Sequence, residues 1–424
     1  MENILMRDKI NAFFDRAIRV SLIVFAVGSP FSISFAQFGL VPAILFWLTQ
    51  GILNKFKGVK GTPVDIPVMI FLAGQLITSI FCEYSKTAFA EYQGEWQILM
   101  LYVIMNKVDR EFGKKLIKIL FVVCVLVSLF GFYQHFTGWG LKIHNFRVEA
   151  IRLKTSTYIF YDIVGGFGLH LTFGGYYMMI ALLGWVYLIR EKKNRLFFII
   201  GTVIITLAVV GSYARTAWFG ILAGALFLIF ILVKEKKKLL SCLLILLLVV
   251  GSMMFLKPVR NRALSIKNLT HDRRYQIWRV ALLMIKDHPF LGVGNGNFMR
   301  YYPGYAMKET PGSLFPPDKP MGHPHNDLLI VYLTAGLTGF IGYLLMWFTL
   351  FQQGLKYMRT SPDQKYLMAG LLAGLAAFFV AGLGQCYFTA STNSMLLWFF
   401  ISMVSLLLME KDKQDFPVNP FRRK

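Results

Sequence analysis

Twelve apolar runs, each about 17–25 residues long, succeed one another along this chain, and no other feature constrains its fold as much. They fall at 18–34, 36–54, 64–82, 88–106, 115–134, 167–189, 196–212, 215–233, 239–256, 326–350, 366–386 and 393–409. A run of this length crosses the hydrocarbon of a bilayer as a helix, the one single-segment structure that satisfies its own backbone polar groups in lipid. The expectation is an all-α, polytopic integral membrane protein with about 12 transmembrane helices. Composition agrees: 56% of the 424 residues are hydrophobic and 16% are charged, against roughly 25% charged in soluble domains. The first run follows an amphipathic leader, 1–19, without a small-residue cleavage site, and is read as a retained span.

The segments between runs alternate in charge. Those at 1–19, 54–63, 107–118, 190–195, 234–238, 352–365 and 410–424 hold 28 of the 45 Lys and Arg residues. By the positive-inside rule they lie in the cytoplasm, together with both termini. The formal charge of +23 therefore follows from membrane topology and does not call for nucleic acid as a partner. Fifteen further bases, with seven acidic residues, lie in two outer loops, near 135–166 and from 257 onward. Two readings of this outer excess stay open: a surface resting on anionic membrane lipids, or a binding surface for a phosphate-bearing substrate. The chain thus divides into 1–256 (transmembrane helices 1–9 with the smaller outer loop near 135–166), 257–324 (one large outer loop between helices 9 and 10) and 325–424 (helices 10–12 and a cytoplasmic tail). Gly220 with Gly224, Gly370 with Gly374, and Ala369, Ala373, Ala377 and Ala381 stand at helix-packing spacing.

The residues able to carry chemistry lie on the outer side. Gly322-His323-Pro324-His325-Asn326-Asp327 opens the tenth run, which continues with Gly336, Gly339 and Gly342; this glycine spacing is read as close helix approach. His325, at a helix N-terminus, is a candidate general base, because the helix dipole there discourages protonation. Asn326 or Asp327 is placed to orient it. Arg215, in Ser212-Tyr213-Ala214-Arg215, stands at the junction of two runs, where a cation is costly enough to suggest a function; snorkelling to a lipid phosphate is the plainer reading. Asp272-Arg273-Arg274-Tyr275 opens an amphipathic helix capped by Asp272, with Ile277, Trp278, Ala281, Leu282, Met284 and Ile285 on one face and His288-Pro289 at its end. Arginines in a first turn oppose the dipole unless an anion binds there, which makes Arg274 a candidate phosphate ligand; pairing with an acid or a headgroup is the alternative. Gly292-Val293-Gly294-Asn295-Gly296 lacks the lysine of a P-loop and is read as a tight turn folding the loop back on the membrane. His323 and His325, even with His271 or His288, make no complete ligand set, and the outer loops hold no carboxylate cluster, so no metal is expected. The four cysteines have no ligand spacing; topology allows one pairing, Cys82 with Cys386.

Together these features resemble the O-antigen ligase (WaaL) family, within the superfamily that includes O-antigen polymerases and protein O-oligosaccharyltransferases. His325-Asn326 is followed, after nine residues, by Gly336-Leu337-Thr338-Gly339. Arg215 follows a short outer loop, and Arg274 stands four residues before Trp278, ahead of Asp287-His288-Pro289-Phe290-Leu291-Gly292-Val293-Gly294. The resemblance implies a metal-independent, cofactor-free glycosyltransferase of the bacterial inner membrane, active at its periplasmic face in lipopolysaccharide biosynthesis. Its donor is a glycan on undecaprenyl pyrophosphate and its acceptor a sugar hydroxyl of lipid A–core. In that scheme His325, Arg215 and Arg274 are catalytic, while Arg273, His323, Asn326, Asp327, Arg147 and Arg152 bind substrate. No outer arginine begins an Arg-x10-Gly motif of the polymerase kind, and no outer domain follows the last run as in oligosaccharyltransferases; both points favour the ligase branch. A transporter or flippase of lipid-linked sugars is the rival from another class. Against it, the spans read as free of intramembrane charge pairs and broken helices.

Overall fold

The computed structural model describes residues 2–144, 146–153, 160–190, 192–264, 273–309 and 322–415. The expected cap Asp272, His271 and the side chain of Arg273 lie outside the described residues. Helix covers most of each of the twelve apolar runs. In chain order the helices are α1 (Glu2–Gly28), α2 (Ile33–Leu53), α3 (Asp65–Phe81), α4 (Ser85–Tyr92), α5 (Leu99–Lys107), α6 (Arg110–Thr137), α7 (His170–Val186), α8 (Arg195–Gly211) and α9 (Arg215–Leu232). After these come α10 (Lys236–Met253), α11 (Lys257–Leu264), α12 (Arg273–Asp287), α13 (Phe298–Glu309), α14 (Asp327–Thr360), α15 (Lys365–Gly382) and α16 (Ser391–Asp415). One antiparallel hairpin, β1 (Trp139–His144) and β2 (Arg147–Arg152), follows α6.

Among the described residues, six helical segments are long and apolar enough to cross a membrane, and seven if α10 and α11, bent by 99° at their junction, count as one. Shorter apolar helices include α3 and α8. The protein is thus a helical, polytopic membrane protein. Small residues set its tightest contacts. A Cβ added at Gly220 would lie 2.9 Å from Ala377 O, and one at Gly224 would lie 3.0 Å from Ala373 O, so α9 and α15 touch backbone to backbone. Gly74 of α3 meets Gly339 of α14 in the same way.

The loops gather at two ends. At one end Arg7 binds Asn54, Lys107 binds Asp15 and Arg19 binds Asp109. The other, which we call the site end, holds the hairpin, the turn at 211–215, helices α11 to α13, residues 322–327 and the loop between α15 and α16.

Two of the spans expected from the sequence are interrupted, and another, the run at 239–256, ends in a sharp bend. The run at 88–106 is split into α4, a 3-10 turn at Gln93–Ile98, and α5; Gly94 within the turn weakens helix propensity. The chain turns through 99° between α10 and α11, where Pro258 takes a first-turn position that costs no hydrogen bond. The second interruption is in α14. Gly336 has φ 63 and ψ −173, a conformation readily open to glycine only, so this glycine bends the span as well as letting a neighbour approach.

The break in α14 is filled by the glycine-rich turn. Val293 N and Gly294 N donate to Leu333 O at 2.8 and 3.0 Å, and Leu337 N donates to Phe290 O at 2.9 Å. Backbone groups released inside a membrane protein need partners, and residues 290–294 supply them. The amides of Val293 and Gly294 are therefore committed to α14, and that of Gly292 to His288 O. Helices α12 and α13 pack beside this plug: Ile277, Val280, Ala281, Met284, Val293, Phe298 and Tyr302 form one buried cluster with Ile330, Leu333 and Cys386. The buried face of α12 is thus Ile277, Val280, Ala281 and Met284. Leu282, expected on that face, is 55% exposed, because at helical spacing it stands about 100° round from Ala281. Cys82 and Cys386 are both free thiols.

Candidate functional site

The mouth of α14 is built from its own capping residues. Asn326 takes an extended backbone and its Oδ1 accepts from Leu329 N at 3.1 Å, which starts the helix. The preceding His325 is left-handed, with φ 53, an uncommon state for a residue with a Cβ. Its backbone N–H reaches His323 Nδ1 at 3.4 Å, and the two imidazoles lie 4.3 Å apart at 73°. Burial and then the neighbouring His325 lower the pKa of His323 to about 4. His323 is therefore neutral near pH 7.

The ring of His325 is held by a residue that spacing does not single out. Nδ1 lies 2.5 Å from Gln385 Oε1, in the loop between α15 and α16. With the amide oxygen facing the ring, Nδ1 donates its hydrogen, and in the neutral imidazole Nε2 is then the basic nitrogen. Asn326 and Asp327, the expected orienting residues, hold that loop in place. Asn326 Nδ2 donates to Leu383 O at 2.9 Å, and Phe388 N donates to Asp327 Oδ1 at 3.0 Å. Asp327 is only 2% exposed. Two side chains at the start of α14 thus clamp residues 383 and 388, with Gln385 between them.

The same loop meets the start of α9 and the start of α12. Thr216 Oγ1 and Tyr387 Oη lie 3.0 Å apart, which sets the α9 N-terminus, and with it Arg215, against the loop. A Cβ at Gly384 would lie 2.8 Å from Thr216 Cγ2 and 3.7 Å from Arg274 Nη1, so Arg274 arrives at the same point. Arg274 also favours ionisation of the Tyr387 phenol, which burial pushes well above its ordinary pKa. The bend before α11 brings in a further cation: Arg262 Nε donates to Tyr213 O at 3.3 Å, two residues before Arg215. Arg262 and Arg274 both act electrostatically on His170, whose Nδ1 is 3.5 Å from Asp162 Oδ2. The site end therefore joins the His325 imidazole to a group of guanidinium residues, with the 383–388 loop between them.

Of the residues expected at the site, His325, His323, Asn326, Asp327, Arg274 and the neighbourhood of Arg215 come together. Arg147 and Arg152 stand on the hairpin. Arg152 bonds Thr137 O at 3.2 Å and lies over Trp139, while Arg147 pairs with His144. The sequence reading missed Gln385, Arg262 and the Asp162–His170 pair. Gln385 left one signal, as a lone amide at the end of an apolar run. A groove of about 830 Å³ lined by Thr62, Asp65, Gln352, Lys356 and Tyr357 lies at the opposite end, away from these groups.

Fold and site thus define a helical membrane protein with an imidazole and several guanidinium groups gathered at one end of its bundle. Residues 200–344 match the family model described as O-antigen ligase, the family that the sequence motifs resemble. The match covers 145 of the 424 residues and includes Arg215, Arg262, Arg274, His325 and the Gly336 break; Gln385 lies beyond it. No curated protein matches the chain.

Proposed function

We propose that this protein is a glycosyltransferase of the O-antigen ligase type, moving a glycan from undecaprenyl pyrophosphate to a sugar hydroxyl of lipid A–core at the periplasmic face of a bacterial inner membrane. The observation that carries this reading is the convergence of His325, Arg274 and the α9 N-terminus on one loop, within the stretch that matches the family model.

The acceptor hydroxyl oxygen attacks the anomeric carbon while its proton passes to His325 Nε2. The bond from that carbon to the phosphate oxygen breaks, and undecaprenyl pyrophosphate leaves with the electron pair. A pyrophosphate is a stable anion and asks for neutralisation rather than for a general acid. Fixed guanidinium groups give it, Arg215 and Arg274 first, through charge-assisted and bidentate hydrogen bonds. Gln385 Oε1 accepts from Nδ1–H and keeps the ring in the tautomer that can take the proton. A site at the bilayer edge suits a donor whose tail stays in lipid, and a screened site limits hydrolysis.

A single experiment tests the reading. Purified protein in detergent, given lipid-linked donor and lipid A–core in excess EDTA, is expected to yield glycan on lipid A–core. A lengthened glycan still on the donor lipid would mean the polymerase branch. Activity that disappears with EDTA and returns with Mg²⁺ or Mn²⁺ would overturn the arginine mechanism. The broken helices favour a second reading, since transporters use such breaks to line a path. In α14, however, protein backbone fills the break. Joining of donor to acceptor without a sealed membrane separates the two readings.

A further inference from the structure

The hairpin at the site end has two unlike faces. Trp139 pairs with Arg152, Leu141 with Ala150 and Ile143 with Val148, and directly paired side chains share a face. That face is apolar except for Arg152, whose guanidinium lies 5.1 Å from the centre of the Trp139 ring. The alternate pairs are Gly140 with Ile151, Lys142 with Glu149 and His144 with Arg147, so the other face carries its charges toward the turn. On the apolar face Trp139 is 51% exposed and Val148 58%. A two-stranded hairpin is marginal in water by itself, so this face needs cover.

Continuity with a spanning helix indicates what the cover is. Phe146, at the hairpin turn, packs edge-on against Phe35 and Phe38 of α2, with ring centroids 5.7 Å apart in both pairs. Helix α2 is long and apolar enough to cross a membrane, and Phe38 is itself 63% exposed. The hairpin is pinned at this level: Ser32 Oγ donates to Ile143 O at 2.9 Å, and Ile143 N to Gly166 O at 3.2 Å. Its apolar face therefore extends a wall that begins on a spanning helix. Tryptophan beneath an arginine suits the boundary between acyl chains and headgroups, where one end of each side chain is apolar and the other polar. Lys142 and Arg147 suit the phosphates beyond it. The open strand edges keep the hairpin out of the hydrocarbon proper, because their backbone groups need water or headgroups.

We infer that residues 139–152 form a membrane-interface anchor, with the Trp139, Leu141 and Val148 face in the acyl boundary of the leaflet at the site end. The partner is the lipid surface itself, and Arg147 and Arg152 serve lipid phosphates, not the transferred glycan. This inference does not depend on the catalytic reading.

The test uses the full chain in nanodiscs containing anionic phospholipid, with the four native cysteines replaced and a nitroxide placed at Val148→Cys, Leu141→Cys or Glu149→Cys. Molecular oxygen concentrates among acyl chains, whereas a nickel chelate stays in water. Oxygen is expected to relax the labels at 141 and 148 more than the chelate does, with the order reversed at 149. Labels at 141 and 148 that favour the chelate would overturn the proposal. So would labels shielded from both reagents, since protein and not lipid would then cover the face.

Discussion

A histidine that takes a proton from a hydroxyl must present an unprotonated nitrogen at a fixed angle, and the partner of its other nitrogen decides both. His325→Ala is expected to cost about 10²–10⁴-fold in transfer rate while donor binding is kept; near-normal turnover would remove the base assignment. Gln385→Leu is expected to lower the rate without weakening donor binding. Gln385→Glu should retain activity but move the acid limb of the pH profile upward, because a carboxylate beside Nδ1 favours the imidazolium. An unchanged profile in the Glu variant would show that Gln385 does not govern the ring. His323 makes a separate prediction. Its folded pKa of about 4 lies below the ordinary 6.5, so its contribution to stability is full above 6.5 and is lost as pH falls toward 4. The melting temperature should drop over that window by less in His323→Gln than in the wild type; equal drops would refute the assignment. Arg215→Lys and Arg274→Lys should each stay clearly impaired, because lysine lacks the bidentate fork, and loss of one such donor costs about 10²–10³-fold. Transfer rates of both singles and the double check this, and the double should lose less than the product of the singles if the two grip one anion. His325 and the arginines were legible because imidazole and guanidinium at a membrane boundary are costly and therefore informative. Gln385 was not, because it lies sixty residues from His325 and a neutral amide leaves no charge or spacing signature.

At the scale of the element, Gly336 carries more than packing. A side chain there would be strained by its backbone conformation, at about 1–3 kcal/mol, and its Cβ would lie 2.5 Å from Phe290 O. Gly336→Ala is therefore expected to lower the melting temperature and expose residues 288–297 to protease. Gly304→Ala in α13, where a Cβ meets nothing within 4 Å, should do neither. Protection of 288–297 in Gly336→Ala would mean that the plug does not depend on the break. The twelve apolar runs were legible as helices, since length and hydropathy suffice. Their interruptions were not. A glycine that breaks a helix and one that lets another helix approach look alike in a sequence, and only the tertiary partner, Phe290–Gly294, tells them apart.

Across the whole molecule, the positive-inside rule predicts that Lys193 and the 234–238 segment lie on one side of the membrane, and Glu149 and the helices α11 to α13 on the other. Single cysteines at 149 and 300 should react with an impermeant thiol reagent from outside intact cells, and one at 193 should react only after permeabilisation. Labelling of 193 in intact cells would invert the topology and move the site to the cytoplasm. Charge supplies a rule for sorting the loops, which the labelling would test. It was not enough to show that the long polar segment folds into helices packed on α14, because that packing depends on apolar residues scattered over 277–305 whose partners, Ile330 and Leu333, come later in the chain.

The plug in α14 also carries a consequence for biogenesis. Chains are made from the N-terminus onward, so residues 290–294 leave the ribosome before Gly336 does. The filling exists before the gap. If the segment is exported as it is made, α14 enters the bilayer with partners for Leu333 and Leu337 already waiting on the far side. A truncation after residue 300 would keep the filling without its gap, whereas deletion of 288–297 would leave an unfilled gap in a membrane-spanning helix. Quality control in the membrane should remove the second product far faster than the first.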